Sequence, residues 1–218
     1  GGKEFEAFCR ENSSWLDDFA MFMALKAENG GKPWYEWEDD LKCRDMDKME
    51  EMRLALADEL RFYSFVQFKF YEQWHALKEY AHENGVKIIG DIPIYVALDS
   101  ADVWVAPDLF ELDDDLVPTA VAGCPPDDFS EDGQLWGNPL YDWEQHKAAE
   151  YKWWISRLEH CFKLYDVVRI DHFRGFDEYY SIPFGDKTAV NGHWEKGPGI
   201  ELFRAVEKAL GKKEVIAE

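Results

Sequence analysis

The sequence is poor in cysteine, in positive charge and in long apolar runs. Its four cysteines, Cys9, Cys43, Cys124 and Cys161, are scattered without a Cys-x-x-Cys pair, which argues against a metal cluster and fits reduced thiols in a cytoplasm. No apolar run is long enough to span a bilayer, and the amino terminus lacks a signal-peptide pattern. Only 24 Lys and Arg residues oppose 45 Asp and Glu residues, so the formal net charge is −21. Because nucleic acids and anionic membranes bind basic patches, the composition predicts neither partner.

Several common signatures are also missing. The chain contains no P-loop and no dinucleotide fingerprint, and its acidity opposes a phosphate ligand, so a phosphate-binding α/β protein is a weak interpretation. It has no internal repeat and no low-complexity tract. Its 218 residues have the size of one ordinary domain with an ample core. Aromatic residues make up 16% of the chain, with 10 Trp, and exposed aromatic faces are typical of carbohydrate sites. These features fit a soluble protein with a neutral ligand.

The stretch VVRIDHFRGF, residues 167–176, combines a strand pattern with charge. After two valines, four ionisable residues occupy six positions: Arg169, Asp171, His172 and Arg174. Arg169 and Asp171 share one face of the strand, where the guanidinium would lower the pKa of the carboxyl and keep it ionised. An ionised carboxylate at the carboxyl end of a parallel strand is a candidate nucleophile. A buried structural Arg–Asp pair is the alternative.

Hydrophobic periodicity predicts helices over residues 15–29, 46–62, 65–84, 144–165 and 200–210. The aromatic side chains of the 65–84 helix are expected to pack in the core. Three strands are predicted: one over residues 86–89, one that begins at residue 167, and one over the final segment EVIAE. Strands separated by helices predict a parallel α/β sheet, and these three lead to Asp91, Asp171 and Glu218.

Residues 96–145 show no sustained periodicity and are predicted to be a long loop, as are residues 177–199. The segment GCPPDDFSEDGQLWGNPLYDW, residues 123–143, has the composition of an ordered sugar-binding loop. Asp127, Gln134 and Asn138 can hydrogen-bond hydroxyl groups, and Trp136 offers a flat apolar face. An internally packed Ω-loop is the alternative.

Carboxylates at the ends of parallel strands indicate a type of chemistry. In parallel α/β barrels these ends lie on one face, where catalysis occurs, so Asp91, Asp171 and Glu218 are expected to converge. Two convergent carboxylates beside a sugar-binding loop favour glycosidic bond chemistry. One attacks the anomeric carbon, and the other, kept protonated by an apolar setting, donates to the leaving oxygen.

These motifs together resemble those of the 4-alpha-glucanotransferase family (amylomaltase, or disproportionating enzyme) of the α-amylase clan. The matching runs are GDIPIYVALDSADVW, GCPPDDFSEDGQLWGNPLYDW, RIDHFRGF, NGHWEKGPGIELF and VIAE, which stand in the family's order from Trp15 onward. The resemblance implies a retaining TIM-barrel (β/α)₈ transferase that acts on α-1,4-glucan donors and acceptors without a metal or organic cofactor. It also implies a cytoplasmic enzyme, or a plastid one in a plant.

The resemblance assigns roles to individual residues. Asp171 resembles the nucleophile that forms the glycosyl-enzyme, and Glu218 resembles the general acid/base. Arg169 and His172 resemble partners of the nucleophile and of the sugar bound there, and Asp91 matches an acid at the end of an earlier strand. Trp136 and Asn138 match the loop that covers the acceptor side.

The chain departs from the family in two respects. Asp128 replaces a tyrosine of the family's PPDYFS motif, which puts glucan affinity at that loop in doubt. In addition, a (β/α)₈ barrel takes about 250 residues, and only three of its strands are predicted here. The family's third catalytic carboxylate is also absent from the sequence. Residues 1–218 are therefore expected to be a central piece of a catalytic barrel, with 96–145 as an inserted substrate-binding region. A glucan-binding piece without catalysis and an α-glucan hydrolase remain alternatives.

Overall fold

The computed structural model describes residues 2–218, which fold as two compact units. One unit takes in the chain up to Tyr80 together with Asp99–Val105, and the other consists of Ala81–Leu98 and Ala106–Glu218. None of the helices in the described part of the chain combines the length and apolarity needed to cross a bilayer.

The first unit is helical. Its α-helices are α1 (Gly2–Glu28), α2 (Asp39–Lys42), α3 (Met46–Ala55), α4 (Ala57–Glu83, whose last three residues belong to the second unit) and α5 (Ala101–Val105). Helix α1 begins well before the predicted residue 15. The predicted 46–62 helix is two helices, because Leu56 ends α3 and α4 begins directly after it.

Aromatic rings hold this unit together. Phe5 of α1 packs on Phe65 and Phe68 of α4, with 5.6 Å between ring centroids in both pairs. However, Phe68 is the only residue of α4 that is buried within the described chain, whereas Phe70 and Tyr80 are exposed. The prediction that the aromatic side chains of this helix form core is therefore wrong for most of them.

The second unit contains all the strands of the described residues. Its elements are β1 (Ile89–Pro93), β2 (Ala120–Cys124), β3 (Gln134–Pro139), α6 (Trp143–Ala148), α7 (Lys152–Leu164), β4 (Val167–Asp171), β5 (Glu178–Pro183), β6 (His193–Lys196), α8 (Ile200–Leu210) and β7 (Val215–Ala217). The predicted 144–165 helix is interrupted between α6 and α7, where Glu150 and Tyr151 adopt positive φ.

A parallel sheet in the order β1-β4-β7 confirms the predicted α/β class. Strand β4 is central: Ile89 to Pro93 pair with Val167 to Asp171, and Val168 to Ile170 pair with Val215 to Ala217. Val168 and Ile170 are fully buried, whereas Arg169 and Asp171 point to the opposite, open face. This alternation is the one predicted from the sequence.

A second sheet was not predicted. It is antiparallel, in the order β3-β2-β5-β6, and it draws its strands from the two segments expected to be loops, 96–145 and 177–199. Those loop predictions are wrong in this respect. The strands are short, and the β2–β3 register shifts between Val121 and Gly123, which removes the strict alternation that periodicity detects.

Candidate active site

Three acidic residues meet at the parallel sheet, as predicted. Asp171 is the last residue of β4 and Glu218 directly follows β7. Asp91 lies in the middle of β1 rather than beyond it, because that strand begins at Ile89 and not at the predicted Val86. Its register partner is Arg169, so both point to the same face of the sheet.

Arg169 connects the three acids. Its Nη1 donates to both carboxylate oxygens of Asp91, at 2.7 and 2.6 Å. Its Nη2 lies 3.5 Å from Oδ1 of Asp171 and 3.3 Å from Oε2 of Glu218. The group is open to solvent: the side chains of Asp91, Asp171 and Glu218 are 60%, 53% and 52% exposed. A ligand could therefore reach each carboxylate.

The carboxyl groups of Asp171 and Glu218 affect each other's ionisation. The neighbouring Glu218 carboxyl raises the pKa of Asp171, while Arg169 acts to lower it, as expected, without outweighing the rise. Contact with the Asp171 carboxyl, the backbone N–H of His172 and the charge of Arg169 lower the pKa of Glu218. The apolar setting expected for Glu218 is not observed, because its side chain is 52% exposed.

His172 follows Asp171 in a left-handed backbone conformation, with φ of 56°. A residue other than glycine adopts this conformation at an energetic cost, and such residues are concentrated at functional sites. Its N–H lies 3.4 Å from Oε2 of Glu218. Burial lowers the pKa of the imidazole, and its Nε2 is a buried nitrogen without a hydrogen-bond partner within residues 2–218.

Trp136 is the one residue of the predicted sugar-binding loop whose ring reaches this group. It meets the His172 ring edge to face, with centroids 4.8 Å apart and planes at 87°. Gln134 accepts a hydrogen bond from Trp136 Nε1 at 3.0 Å, so it orients the indole. The indole is about one-third exposed and offers part of its face to solvent.

The other two loop residues are engaged within the protein. Asn138 donates to the carbonyl of Val96 at 2.9 Å. Asp127 accepts from the backbone N–H groups of Phe129 and Ser130, both at 2.8 Å, and thereby closes a turn. Neither side chain is recorded in contact with the acidic group, so any contact with a sugar would use their remaining hydrogen-bonding capacity.

Sequence reasoning missed Tyr95. This residue is 6% exposed, and its ring lies 6.4 Å from that of His172 and 6.3 Å from that of Trp136. It thus packs beneath both. Its position two residues after Pro93, immediately beyond a strand that leads to a carboxylate, was the available signal.

The donor set is unsuited to a bound metal. Among residues 2–218, no group of three or more His, Cys, Asp or Glu side chains is placed to hold an ion, and Arg169 occupies the centre of the acidic group. The site thus presents a pair of carboxyl groups beside an imidazole and an indole. The fold and the site are those of an α/β protein with carboxyl groups clustered at the ends of parallel strands.

Comparison with known proteins identifies the family. The family profile described as 4-alpha-glucanotransferase matches residues 1–218. The chain belongs to the 4-alpha-glucanotransferase family. It is 49% identical over 213 residues to the 4-alpha-glucanotransferase of Aquifex aeolicus strain VF5, covering 98% of this chain and 44% of that protein. It is 51% identical over 217 residues to the enzyme of the same name from Streptococcus pneumoniae serotype 4, covering 99% of this chain and 43% of that one.

A solved structure agrees with the sequence relatives. An amylomaltase from Streptococcus agalactiae in complex with acarbose superposes with a TM-score of 0.95 and 45% sequence identity. The match covers 100% of this chain and 44% of that protein. This chain therefore spans less than half the length of the relatives it matches.

Proposed function

We propose that the protein to which this chain belongs is a 4-alpha-glucanotransferase, which transfers a segment of a 1,4-α-D-glucan to the 4-hydroxyl of an acceptor glucan or glucose. The observation that carries the proposal is the pairing of Asp171 with Glu218 beside Arg169 at the ends of parallel strands. Glycosidases and related transferases that retain configuration use two such carboxyl groups.

In the first step, Asp171 attacks the anomeric carbon of the donor while Glu218 gives its proton to the departing glycosidic oxygen. The carboxyl groups of retaining pairs stand about 5–5.5 Å apart, which leaves room for the anomeric carbon between them. Asp171 has to be ionised to attack, and Glu218 has to carry the proton that it donates.

In the second step, Glu218 takes the proton of the acceptor 4-hydroxyl, whose oxygen attacks the anomeric carbon and releases Asp171. Two inversions at that carbon retain the α configuration, and the enzyme returns to its starting protonation state. The same intermediate attacked by water would give hydrolysis. Exclusion of water by the bound acceptor therefore decides between transferase and hydrolase.

The surrounding residues have roles in holding the sugar. His172 would lie beside the donor sugar, and Asp91 would anchor Arg169 and offer remaining lone pairs. Trp136 would stack on the acceptor side, oriented by Gln134. Asn138 and Asp127 keep the predicted role of lining this region, through atoms that their internal hydrogen bonds leave free.

We further propose that residues 1–218 form a central part of a (β/α)₈ barrel, with residues 96–145 as its substrate-binding insertion. The parallel order β1-β4-β7 supports the barrel, since each candidate acid lies in one of these strands or directly after it. α-1,4-glucans would be the donor and acceptor substrates, and neither nucleic acid nor membrane would be a partner. The proposed compartment is the cytoplasm, or the plastid in a plant, and the four cysteines are free thiols that suit it.

The decisive experiment is incubation of the protein, as its natural gene encodes it, with maltotriose. Transfer yields glucose together with maltodextrins longer than maltotriose. If the products are glucose and maltose with nothing longer, the protein is a hydrolase and the proposed transfer is wrong.

A glucan-binding protein without catalysis is the second candidate for the 218 residues alone, because the family's third carboxylate is not among them. Calorimetry with maltodextrin separates the two cases. Heat of binding without any change in chain-length distribution would favour this candidate over an active fragment.

A further inference from the structure

The backbone just after Asp91 is held by side chains of the second unit. Strand β1 has a single strand neighbour in the described parallel sheet, β4. At its end, the Pro93 carbonyl accepts from Nη2 of Arg157 at 2.6 Å, and the Ile94 carbonyl accepts from Nη1 of Arg157 at 2.9 Å. One guanidinium therefore binds two consecutive carbonyl oxygens, which uses the planar fork of this side chain.

Arg157 is itself fixed in place. It lies on α7 with the centre of its guanidinium 4.9 Å from the ring centroid of Trp154 and 5.5 Å from that of Trp153. The buried Tyr141 donates its hydroxyl to the same Ile94 carbonyl at 2.6 Å. Three donors from two side chains thus converge on two carbonyl oxygens.

These two carbonyls belong to the segment that touches the candidate nucleophile. Pro93 is the register partner of Asp171, and the N–H of Ile94 donates to the Asp171 carbonyl at 3.2 Å. The next residue, Tyr95, stacks on Tyr141 at 5.9 Å with planes at 23° and packs beneath His172. A shift of this segment would displace the main chain of Asp171 and the support of His172 together.

We propose that Arg157 is a positioning residue of the transfer reaction, and that Tyr141 assists it through the Ile94 carbonyl. Arg157 is recorded in contact with none of the carboxylates at the site; it acts by holding the Pro93–Ile94 backbone against Asp171. This inference rests on the proposed function, the transfer of a glucan segment. A lysine would reach one carbonyl but could not hold both in a plane.

The test compares Arg157→Lys and Tyr141→Phe with Arg44→Lys in the protein as its gene encodes it. Arg44 is a matched control in the first unit, because it also binds an acceptor, Asp18, and packs on an indole, that of Trp104 at 4.3 Å. Two readouts are taken well below the unfolding temperature: hydrogen exchange of the Ile94 amide, and kcat and KM for maltotriose.

We expect Arg157→Lys to speed Ile94 exchange at least about tenfold and to lower kcat by about 10- to 100-fold, with KM changed by less than about threefold. Tyr141→Phe should act in the same direction with a smaller effect, and Arg44→Lys should lower thermal stability without changing either readout. Unchanged Ile94 exchange in Arg157→Lys, or a loss of kcat equal to that of Arg44→Lys, would overturn the inference. Absence of transfer by the unaltered protein would instead refute the proposed function. The exchange of the Ile94 amide would still show whether Arg157 holds the Pro93–Ile94 backbone.

Discussion

Asp171 and Glu218 share one guanidinium nitrogen, since Nη2 of Arg169 lies 3.5 Å from Oδ1 of Asp171 and 3.3 Å from Oε2 of Glu218. Their main chains are also joined, because Glu218 N–H donates to the carbonyl of Ile170, the residue before Asp171. The pair is thus held both at its side chains and at its backbone. Their different proposed roles can be separated by the leaving group of the substrate.

Asp171→Asn should remove glycosyl-enzyme formation from every donor, since an amide is too poor a nucleophile. Glu218→Gln should lose about 10³-fold in kcat with maltotriose, because the leaving oxygen then departs without a proton. With α-maltosyl fluoride, whose leaving group needs no acid, Glu218→Gln should still form the covalent intermediate. Mass spectrometry of the trapped protein is the measurement. An adduct on Asp171→Asn would assign the nucleophile elsewhere.

Glu111 should make stability depend on pH. Tyr179 Oη lies 3.2 Å from Oε1 of Glu111 and 3.1 Å from Oε2 of Glu195, and a phenol has only one proton to donate. If Glu111 carries a proton, its carboxyl can donate to Tyr179 Oη while the phenol donates to Glu195, so both contacts are hydrogen bonds. Burial, together with the charge of Glu195, raises the pKa of Glu111 to about 7.

Between the ordinary glutamate value of 4.5 and about 7, the folded chain holds a proton on Glu111 that the unfolded chain releases. The free energy of unfolding should therefore fall as pH rises through this window and level off above it. Glu111→Gln removes this contribution, so its stability relative to the unaltered protein should increase from pH 5 to pH 8 in urea titrations. Glu131→Gln, the same exchange at an exposed position, gives the baseline. A Glu111→Gln difference that does not change with pH would contradict the raised pKa.

Gly90 of β1 should not tolerate a side chain. A Cβ at this position would lie 2.0 Å from Cδ2 of the Tyr165 ring, so the ring or the backbone would have to move. Gly90→Ala should lower the free energy of unfolding by about 1–3 kcal/mol, measured by chemical denaturation. In the Tyr165→Ala background, the same change should cost less, because the ring is gone. Equal costs in both backgrounds would show that the Tyr165 contact is not the cause.

Asp128→Tyr should restore the aromatic face that the family has at this position. The loop is open to solvent, and neighbouring Phe129 is 99% exposed, so a tyrosine has room to contact glucan. A stacked sugar would gain about 1 kcal/mol, or roughly a fivefold lower Kd for maltodextrin by calorimetry. Asp128→Asn removes the charge without adding a ring. Equal gains from both variants would attribute the effect to charge.

The parallel sheet and its acids could be predicted because the alternation of buried and exposed residues in a strand is visible in a few consecutive residues. Val168 and Ile170 alternate with Arg169 and Asp171, and charge at the end of such a strand is rare enough to be noticed. The convergence of Asp91, Asp171 and Glu218 then followed from strand direction alone. The family resemblance supplied the roles.

The antiparallel sheet could not be predicted because its strands pair across long separations and are interrupted. Gly123 illustrates this: a Cβ there would lie 2.1 Å from the Gln134 carbonyl oxygen, so the close approach of β2 to β3 is visible only when both strands are placed. The raised pKa of Asp171 was likewise hidden, since its cause is the Glu218 carboxyl, which is distant in the sequence. Arg157 did leave a signal, as a charged residue one helical turn from Trp153 and Trp154.

The backbone of Glu218 is hydrogen-bonded on both sides of Asp171, because its N–H donates to the carbonyl of Ile170 and its carbonyl accepts from the N–H of Phe173 at 2.6 Å. The spacing of the reacting groups is consequently a property of main-chain geometry. Trp136 and Asp128, by contrast, lie on or near strands of the other sheet. Changes in the turns of that sheet should therefore leave the main-chain spacing of Asp171 and Glu218 unaltered.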